Sequence, residues 1–301
     1  MKQQTTAFKS GFIAFLGRPN SGKSTLMNNI LEEQISIVTP LPQTTRQNIR
    51  GIFTSDKMQL VFVDTPGIHK GKYSFNEVMI QQAANVLKEQ EVDLVCYMVD
   101  LSRKFGEEEG WVAQMVVSYN RPVLIVFNKT DLCPDVEKKK REFFGLFPKL
   151  NSFPQLSLSA IDNEAKVTFL NIAEKFIPQG PPYFDQDTLT DAPMRFIASE
   201  FIRKHVILNT REEVPHATFV EIESYKESKK GHEITATIHV ETNGQRGIIV
   251  GKKGFLIQKI KRDAKEDLKN ILEQPVSLSL HVKVTPNWRD NKNFLRHMGM
   301  H

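Results

Sequence analysis

A glycine-rich loop near the amino terminus contains the residue types that bind phosphate groups. It reads Gly17-Arg18-Pro19-Asn20-Ser21-Gly22-Lys23-Ser24, which matches the pattern G-x-x-x-x-G-K-[ST]. Glycines let backbone N–H groups face the phosphates, the lysine reaches the outer phosphates, and the serine hydroxyl is a ligand for Mg²⁺. A strand-like apolar run precedes the loop and a helical pattern follows it, as this motif requires. Thr25, near the start of that helix, is a further predicted nucleotide contact. We therefore predict a nucleotide-phosphate site rather than a plain glycine-rich turn.

A second motif indicates which base is bound. Asn128-Lys129-Thr130-Asp131 follows an apolar run at 123–127 and matches N-K-x-D. The aspartate of this motif accepts hydrogen bonds from the guanine ring N–H and amino group, whereas adenine presents an acceptor at that edge. At roughly 1.5–3 kcal/mol for each hydrogen bond to a charged group, the pair favours guanine by roughly two to four powers of ten. The asparagine and lysine are expected to hold the loop and cover the base, and Ser159-Ala160-Ile161 is a weaker candidate for a further base-contacting loop.

Two polar segments between these motifs are candidates for binding the metal and the third phosphate. Asp64-Thr65-Pro66-Gly67 matches D-x-x-G, in which the carboxylate holds Mg²⁺ through water and the glycine N–H bonds the γ-phosphate. The earlier segment Pro42-Gln43-Thr44-Thr45-Arg46 offers two threonines, and we favour Thr45 over Thr44 as a Mg²⁺ ligand. The predicted metal ligands are thus Ser24, Thr45 and, through water, Asp64. Loss of the third phosphate would release both segments, which is how a nucleotide-dependent switch behaves.

Strand-like and helical patterns alternate through the first 180 residues, which predicts an α/β domain with a doubly wound, mostly parallel sheet. The predicted strands lie at 12–16, 60–63, 94–99, 123–127 and 155–158. The predicted helices lie at 23–31, 76–89, 107–119, 136–147 and 164–176. A proline-rich stretch at 177–193 has no periodic pattern and indicates a boundary. We predict a nucleotide-binding domain at 1–180, a linker at 181–193 and a second domain at 194–301.

The second domain has a different order of elements and is predicted to be a small α+β domain. A helix at 194–208 precedes strands at 218–224 and 233–240, helices at 245–250 and 255–272, and a last strand at 276–284. Apolar residues recur at helical spacing in the longer helix and are predicted to face the core. They are Leu256, Ile260, Ala264, Leu268 and Ile271.

Basic charge is concentrated in the last fifth of the chain. The chain has a net charge of +5, and residues 244–301 alone hold 12 Lys or Arg against 5 Asp or Glu. Within this region Gly251-Lys252-Lys253-Gly254 resembles the G-x-x-G loop of KH domains, in which lysines meet the phosphates of a nucleic-acid strand. A solvated cationic helix is the alternative. The predicted RNA-binding residues are Ile249, Gly251, Lys252, Lys253, Gly254, Lys259 and Arg262.

The motifs together resemble those of the Era family of ribosome-assembly GTPases over nearly the whole chain. The segments G-R-P-N-x-G-K-S, P-Q-T-T-R and D-T-P-G carry the resemblance in the first domain, and the element order with its G-x-x-G loop resembles a type II KH domain. The resemblance implies binding of GTP and GDP with Mg²⁺, GTP hydrolysis, and binding of the 3′ end of 16S rRNA. It also implies a role in 16S rRNA processing and 30S subunit assembly. The residues implied in catalysis are Lys23, Thr45, Asp64, Gly67 and Asn20.

Two positions depart from the patterns of related GTPases. Ile68 is an expected nucleotide contact, but it stands where Ras-like enzymes have a glutamine, and an aliphatic side chain cannot orient the attacking water. The resemblance suggests that backbone groups near Thr44 and a K⁺ ion bound by Asn20 position the water instead. A plain turn residue is the alternative for Asn20, and slow intrinsic turnover is expected. Era-like sequences usually have a glycine soon after Ser-Ala, whereas this chain has Asp162-Asn163.

Composition restricts the remaining classes of function. Apolar residues make up 40% and charged residues 25%, and no apolar run is long enough for a membrane span. Two cysteines are too few for a disulfide framework or a four-cysteine metal site. The first residues lack the apolar core of a secretion signal, so we expect the protein to be in the cytoplasm. We also expect it to be a monomer. One alternative is a GTPase whose second domain docks a protein or the cytoplasmic face of the inner membrane, and another is a scaffold that binds nucleotide without turnover.

Overall fold

The computed structural model describes residues 7–68, 73–88, 92–119 and 121–299, and they form two compact units. The first unit comprises Met1–Ser36, Thr45–Gly71 and Met79–Asp191, as far as these ranges are described. The second comprises Ile37–Thr44, Lys72–Val78 and Ala192–His301, with the same restriction. Two segments from the first half of the chain therefore belong to the unit that contains its carboxyl end.

The first unit contains the sheet that the alternating pattern predicts. Among the described residues, six strands form this sheet in five neighbouring pairs. Only the pair formed by the second and third strands is antiparallel. The third and fifth strands are buried along their whole length, which explains their continuous apolar sequences. The predicted strands are confirmed, and the second strand is one that the sequence analysis does not predict. The strands are β1 (Lys9–Gly17), β2 (Ile49–Thr54), β3 (Met58–Asp64), β4 (Val92–Asp100), β5 (Val123–Asn128) and β6 (Gln155–Ser157), in the order β2-β3-β1-β4-β5-β6.

Within the described residues of the first unit, five α-helices lie between or after these strands. The predicted helices are confirmed, with ends that differ by a few residues, and the predicted end at Glu89 lies outside the described residues. The fourth helix shows how a local signal sets a boundary, because the Asp135 side chain accepts a hydrogen bond from Lys138 N at 2.9 Å and caps its first turn. The helices are α1 (Lys23–Leu31), α2 (Ser74–Lys88), α3 (Glu107–Val117), α4 (Val136–Leu146) and α5 (Ala165–Ala173).

The parallel strands bring the sequence motifs to one edge of the sheet. The carboxyl ends of parallel strands lie at the same edge, where ligands of doubly wound sheets bind. The phosphate loop follows β1, D-x-x-G follows β3, N-K-x-D begins at the end of β5, and the Ser-Ala segment follows β6. Four motifs that are far apart in sequence are thereby placed next to one another.

The second unit has a three-stranded sheet with helices packed against it. Its strands are β7 (Phe219–Ser228), β8 (Gly231–Val240) and β9 (Val276–Val284), in the order β7-β8-β9, with β7 antiparallel and β9 parallel to β8. The helices of its carboxyl-terminal part are α6 (Met194–Asn209), α7 (Asn243–Val250), α8 (Phe255–Leu272) and α9 (Lys292–His297). The predicted α+β order is confirmed, and α9 is a helix that the sequence analysis does not predict.

The core of the second unit contains the predicted stripe of α8. Ile260, Ala264 and Leu268 are at most 1% exposed, and Leu256 and Ile271 pack against them. The core also includes Ile37, which is fully buried although it lies more than 150 residues earlier in the chain than the rest. The segment Ile37–Thr44 is thus anchored by apolar packing in the second unit.

The proline-rich stretch at 177–193 is bonded to the first unit for most of its length. Gln59 Oε1 accepts hydrogen bonds from the backbone N–H groups of Tyr183 and Phe184, at 2.7 and 2.9 Å. Ile52 N donates to Leu189 O at 2.8 Å. The two units divide between Asp191 and Ala192, within the range of the predicted linker. No helix among the described residues combines the length and the apolar content of a membrane span.

Candidate functional site

The glycines of the phosphate loop are required by close backbone approach. Gly22 has a φ of +99°, and a Cβ there would lie 2.0 Å from Nδ2 of Asn128. Gly17 has a φ of +156°, and a Cβ there would lie 2.6 Å from Met98 O. These positions exclude larger residues, since both the conformation and the space favour glycine. The loop therefore has the tight curvature that turns backbone N–H groups toward a phosphate.

Lys23 lies within this loop and is only 5% exposed. Its Nζ donates hydrogen bonds to Gly17 O at 3.3 Å and Arg18 O at 3.1 Å. Burial lowers the pKa of Lys23 to about 8, and the nearby Asp64 opposes this effect. A buried ammonium held by loop carbonyls is positioned to interact with phosphates bound in the same loop.

The three predicted metal ligands meet at one point. Ser24 Oγ donates to Asp64 Oδ2 at 2.5 Å and lies 3.0 Å from Thr45 Oγ1, which is 3.2 Å from the same carboxylate oxygen. Ser36, a residue that the sequence analysis missed, also donates to Asp64 Oδ2, at 2.9 Å. Burial raises the pKa of Asp64, and Lys23 and the hydroxyl donors oppose this shift.

This cluster fits Mg²⁺. Its donors are all oxygen atoms, which hard divalent cations prefer. Asp64 Oδ1 is buried and accepts no hydrogen bond among the described residues, so it has free capacity toward a cation or its water. Ser24 and Thr45 would bind the ion directly and Asp64 through water, and the ion would neutralise charge on the β- and γ-phosphates. Thr44 is not part of the cluster, since its Oγ1 bonds Thr39 Oγ1 at 2.7 Å and Leu41 O at 2.8 Å.

The D-x-x-G segment packs directly against the phosphate loop. Ile68 N donates to Gly17 O at 3.1 Å, and Thr65 Oγ1 donates to Phe15 O at 2.7 Å. A Cβ on Gly67 would lie 2.5 Å from the backbone N and Cα of Pro19, so only glycine fits there. Ile68 is 3% exposed and has no polar group with which to orient water. The D-x-x-G segment therefore lies close enough to the phosphate loop to contact a nucleotide bound there.

The N-K-x-D residues connect the base-binding loops with one another. Asn128 Nδ2 donates to Ser21 O and its Oδ1 accepts from Ala160 N, both at 2.8 Å. Asp131 Oδ1 accepts a hydrogen bond from Ser159 Oγ at 2.6 Å. The Ser-Ala segment thus lies beside the aspartate that is predicted to bind guanine, and Asn128 has the loop-holding role that the motif predicts.

Lys129 forms an ion pair with a buried carboxylate. Asp100, at the end of β4, forms ion pairs with Lys129 Nζ at 2.7 Å and Arg103 Nε at 2.6 Å, and Arg103 Nη2 donates to Pro19 O at 2.7 Å. Burial alone would raise the pKa of Asp100, but hydrogen bonds from Lys129, Ser102 and Arg103 lower it overall. Asp100 and Arg103 match no motif and were not predicted as site residues. The available signal was the position of Asp100 at the carboxyl end of a central parallel strand.

Other predicted nucleotide contacts have additional partners in the structure. Arg18 pairs with Glu108 at 2.8 Å and Glu109 at 3.5 Å, and Asn20 has a φ of +60°. Ile161 is 70% exposed. Asn29 Nδ2 holds the turn around Ile161, because it donates to Ala160 O at 3.0 Å and to Asp162 O at 2.9 Å.

The G-x-x-G loop forms a sharply curved surface in the second unit. Gly251, Lys253 and Gly254 have φ values of +72°, +53° and +77°, and both Lys252 and Lys253 are exposed. A capping box between Thr242 and Gln245 starts α7, the helix before the loop. The loop borders a surface concavity of about 620 Å³. Its lining residues are Gly251, Lys252, Lys253, Gly254, Phe255, Leu256 and Gln258.

The remaining predicted RNA contacts differ in their surroundings. Ile249 is fully buried in the core, so its role here is packing, whereas Ile248 is 49% exposed. Lys259 Nζ bonds Asn209 and pairs with Asp263 at 3.1 Å. Arg262 is exposed and pairs with the same carboxylate at 3.1 Å. The structure thus brings together Gly251–Gly254 as a loop and places Ile249 beneath it.

Two family models match separate parts of this chain. A family model described as 50S ribosome-binding GTPase matches residues 12–129, and a KH domain model matches residues 213–289. A protein named GTPase Era from Ruminiclostridium cellulolyticum is 39% identical over 295 residues, covering 97% of this chain and 98% of its own. GTPase Era from Geobacter metallireducens is 40% identical over 296 residues, covering 97% and 98%.

Solved structures of Era proteins have the same fold. One is Era in complex with MgGDPNP and nucleotides 1506–1542 of 16S ribosomal RNA. Another is a substituted form of Aquifex aeolicus Era bound to GDP and AlF₄⁻. Each has a TM-score of 0.90 and 32% identity, and covers 97% of this chain and 99% of its own. Because the relatives are similar over nearly their whole length, the chain belongs to the Era family of GTPases, enzymes that hydrolyse GTP.

Proposed function

We propose that this GTPase uses its nucleotide state to control binding of the 3′ end of 16S rRNA, in rRNA processing and assembly of the small ribosomal subunit. One observation carries this proposal. The segment Ile37–Thr44, which directly precedes the predicted Mg²⁺ ligand Thr45, belongs to the same compact unit as the KH domain. The peptide bond between Thr44 and Thr45 therefore joins the predicted metal ligand directly to the unit that contains the KH domain.

Two contacts within the second unit hold this segment. Ile37 is fully buried in the core, and Arg203 Nη2 donates a hydrogen bond to Thr44 O. Arg203 is 2% exposed and is paired with both oxygens of Glu200, at 2.8 and 2.5 Å. When Thr45 binds Mg²⁺ in the GTP form, the segment would be fixed at both ends, and hydrolysis would free one of them.

The RNA-binding part of the proposal is supported by the chemistry of the G-x-x-G loop. Its glycines allow close backbone approach to a nucleic-acid strand, and the exposed ammonium groups of Lys252 and Lys253 face outward to meet phosphates. The target is proposed from the relative that binds nucleotides 1506–1542 of 16S rRNA. We propose that the recognised RNA in this protein is the same 3′ region.

We further propose that K⁺ joins Mg²⁺ at the nucleotide, with Asn20 as a ligand. Buried Ile68 cannot orient water, so another group must do so, and Asn20 is in the phosphate loop with a φ of +60°. A cation there would add positive charge where the transition state is negative, an effect worth about 10³–10⁵ in rate when an arginine supplies it.

The direct test measures GTP hydrolysis with Mg²⁺, in KCl or NaCl, with and without an oligonucleotide copying the 3′ end of 16S rRNA. We expect the oligonucleotide to bind more tightly in the presence of a non-hydrolysable GTP analogue than with GDP, and K⁺ to accelerate turnover relative to Na⁺. Equal RNA affinity in both nucleotide states would refute the switch proposal. Equal rates in the two salts would refute the role of K⁺.

Vesicle binding tests the alternative partner. We propose a cytoplasmic monomer that acts on RNA, and a GTPase that docks on the inner membrane would instead bind vesicles containing anionic lipid. RNA binding should weaken steeply with salt, because Lys252 and Lys253 release counterions from phosphates. Sedimentation with anionic vesicles together with no detectable RNA binding would favour the membrane alternative.

A further inference from the structure

Phe255 has an exposure that is unusual for its size. Its side chain is 73% exposed, the highest value among the large apolar side chains of the described residues. Burying a phenylalanine is typically worth about 1.5–3 kcal/mol, so this exposure gives up stabilisation. Single exposed apolar residues are common, however, and need no explanation by themselves. The residues around Phe255 indicate that its exposed side chain forms part of a binding surface.

The backbone directs Phe255 away from the core. It is the first residue of α8, and the glycine before it has a φ of +77°. The next residue, Leu256, packs against the core together with Ile260 and Ala264. Phe255 therefore lies outside the buried stripe of its helix, and its side chain lines the surface concavity at the G-x-x-G loop.

The concavity combines this aromatic ring with positive charge. Lys252 and Lys253 also line it, and both are exposed. Within the described part of the chain neither ammonium forms an ion pair, in contrast to Lys259 and Arg262, which both pair with Asp263. The lining contains no acidic residue. A ligand for this surface should therefore carry negative charge and a flat apolar group.

We infer that Phe255 is a stacking surface for one base of the bound RNA, while the phosphates beside that base lie against Lys252 and Lys253. Every nucleobase has a flat face that can stack on an aromatic ring, and single-stranded nucleic acids are commonly bound by this combination of stacking and cationic groups. The inference rests on the proposed RNA function and adds a residue outside the G-x-x-G loop. An anionic membrane would also attract this combination, but a concave surface suits a planar base better than a lipid layer.

The first experiment compares RNA affinities of the wild type with Phe255→Ala, Phe255→Leu and Phe255→Trp, using an oligonucleotide of the 16S rRNA 3′ end. We expect Phe255→Ala to weaken binding about 5- to 150-fold, the range found for loss of one stacked base. Phe255→Leu should also weaken it, since leucine keeps apolar area but has no flat ring, and Phe255→Trp should retain it. Val167→Ala is the matched control, because Val167 is 60% exposed on α5 in the other unit and should leave binding unchanged.

Two further measurements separate stacking from a general structural effect. Oligonucleotides with an abasic site at successive positions should show one position at which base loss weakens wild-type binding but does not weaken Phe255→Ala further. Phe255→Ala should also keep the wild-type dependence of affinity on salt, whereas Lys252→Glu with Lys253→Glu should flatten it. In Phe255→Trp, fluorescence should be quenched by RNA beyond any change of the native Trp111 and Trp288 measured in the wild type.

The outcomes distinguish this inference from the function on which it rests. If the wild type binds RNA with a lysine-dependent salt effect but Phe255→Ala binds equally well, the stacking role is refuted and the function stands. The same holds if no abasic position is coupled to Phe255. If Phe255→Ala loses binding to anionic vesicles and keeps RNA binding, the ring serves a membrane contact and the inference is wrong. If the wild type binds no RNA at all, the proposed function itself fails.

Discussion

The side chain of Asn128 connects three loops that are distant in sequence. Its amide group bonds Ser21 in the phosphate loop and Ala160 in the last base-contacting loop, both at 2.8 Å. It is 1% exposed, so these bonds are shielded from water and position the loops accurately. Asp131 can discriminate between bases only if the loops around it are held in this way.

Asp131→Asn should change the base preference of the protein from guanine to xanthine. The Asp131 carboxylate is predicted to accept from the guanine N–H and amino groups, and an asparagine amide can instead donate to the oxygen that replaces the amino group in xanthine. At roughly 1.5–3 kcal/mol per bond to a charged group, we expect guanine affinity to fall by roughly two to four powers of ten. Competition between GDP and xanthosine diphosphate in the presence of Mg²⁺ measures this shift.

The matched control is Asp135→Asn. Asp135 is an aspartate of the same loop region, but its side chain caps α4 by accepting from Lys138 N at 2.9 Å. Asparagine caps a helix about as well as aspartate, so this change should leave both the helix and the base preference intact. Unaltered guanine preference in Asp131→Asn would show that another residue reads the base.

Residue types and spacing were sufficient to predict the motif residues, but not the residues that support them. Ser24, Thr45 and Asp64 were predicted as one metal site and lie within hydrogen-bond distance of one another. Ser36 contacts Asp64, and Asn29 contacts the turn around Ile161, each through an isolated polar side chain that matches no motif. Their roles depend on the folded path of the chain, and a single sequence carries no signal for that path.

At the scale of elements, glycines of the same chain have opposite effects on the segments that contain them. Gly22 begins α1 with a φ of +99° and approaches Asn128 closely. Gly145 lies within α4, and a Cβ there would have no atom within 4 Å. The first glycine is required by the site, whereas the second only lowers helix propensity.

Gly22→Ala should therefore abolish nucleotide binding, and Gly145→Ala should stabilise the protein. An alanine Cβ at position 22 would be 2.0 Å from Asn128 Nδ2, so the phosphate loop must shift. An alanine at position 145 should raise the free energy of unfolding by about 0.5–1 kcal/mol and leave GDP affinity unchanged. Calorimetric titration with GDP and urea denaturation of both variants measure these effects. Wild-type GDP affinity in Gly22→Ala would contradict the role given to loop curvature.

The two elements that the sequence analysis missed are short and weakly patterned. The strand β2 reads IRGIFT, and packing favours the Gly51 within it, because a Cβ there would lie 2.6 Å from Leu31 Cδ1, and that side chain would have to shift. That reason is a tertiary contact and cannot be seen in the sequence. The helix α9 has six residues, too few to show a helical period, although Asn291 caps it by accepting from Asn293 N and Phe294 N. Elements with long apolar runs or stripes were predicted with ends that differ by a few residues from those in the structure.

The assignment of two early segments to the second unit was not predictable from sequence. Ile37–Thr44 and Lys72–Val78 follow or precede the switch motifs and carry no pattern typical of a KH domain. In the second of these segments, Ser74 N donates to Asp290 Oδ1 at 3.0 Å, and the ring of Phe75 contacts that of Trp288. Both motifs that are predicted to bind the third phosphate are therefore followed or preceded by chain that belongs to the second unit.

Arg203 offers a direct test of this connection. Its guanidinium bonds Thr44 O and is paired with Glu200, so removing the arginine alone would leave a carboxylate buried without its partner. Such a loss typically costs about 3–5 kcal/mol and would confuse unfolding with uncoupling. The informative variant is therefore Arg203→Met combined with Glu200→Gln, which removes both charges.

We expect this double variant to bind GTP and RNA separately but to lose the influence of one on the other. Coupling between two sites is typically about 1–3 kcal/mol, so the wild type should bind RNA about 5- to 150-fold more tightly with a GTP analogue than with GDP. In the double variant this ratio should approach one. The control is Arg195→Met. Arg195 is on the same helix, but its guanidinium donates to Ile222 O at 2.7 Å, whereas that of Arg203 donates to Thr44 O. A full ratio in the double variant would mean that the Arg203 contact does not transmit the nucleotide state, and that Ile37 or the segment at 73–78 must carry it instead.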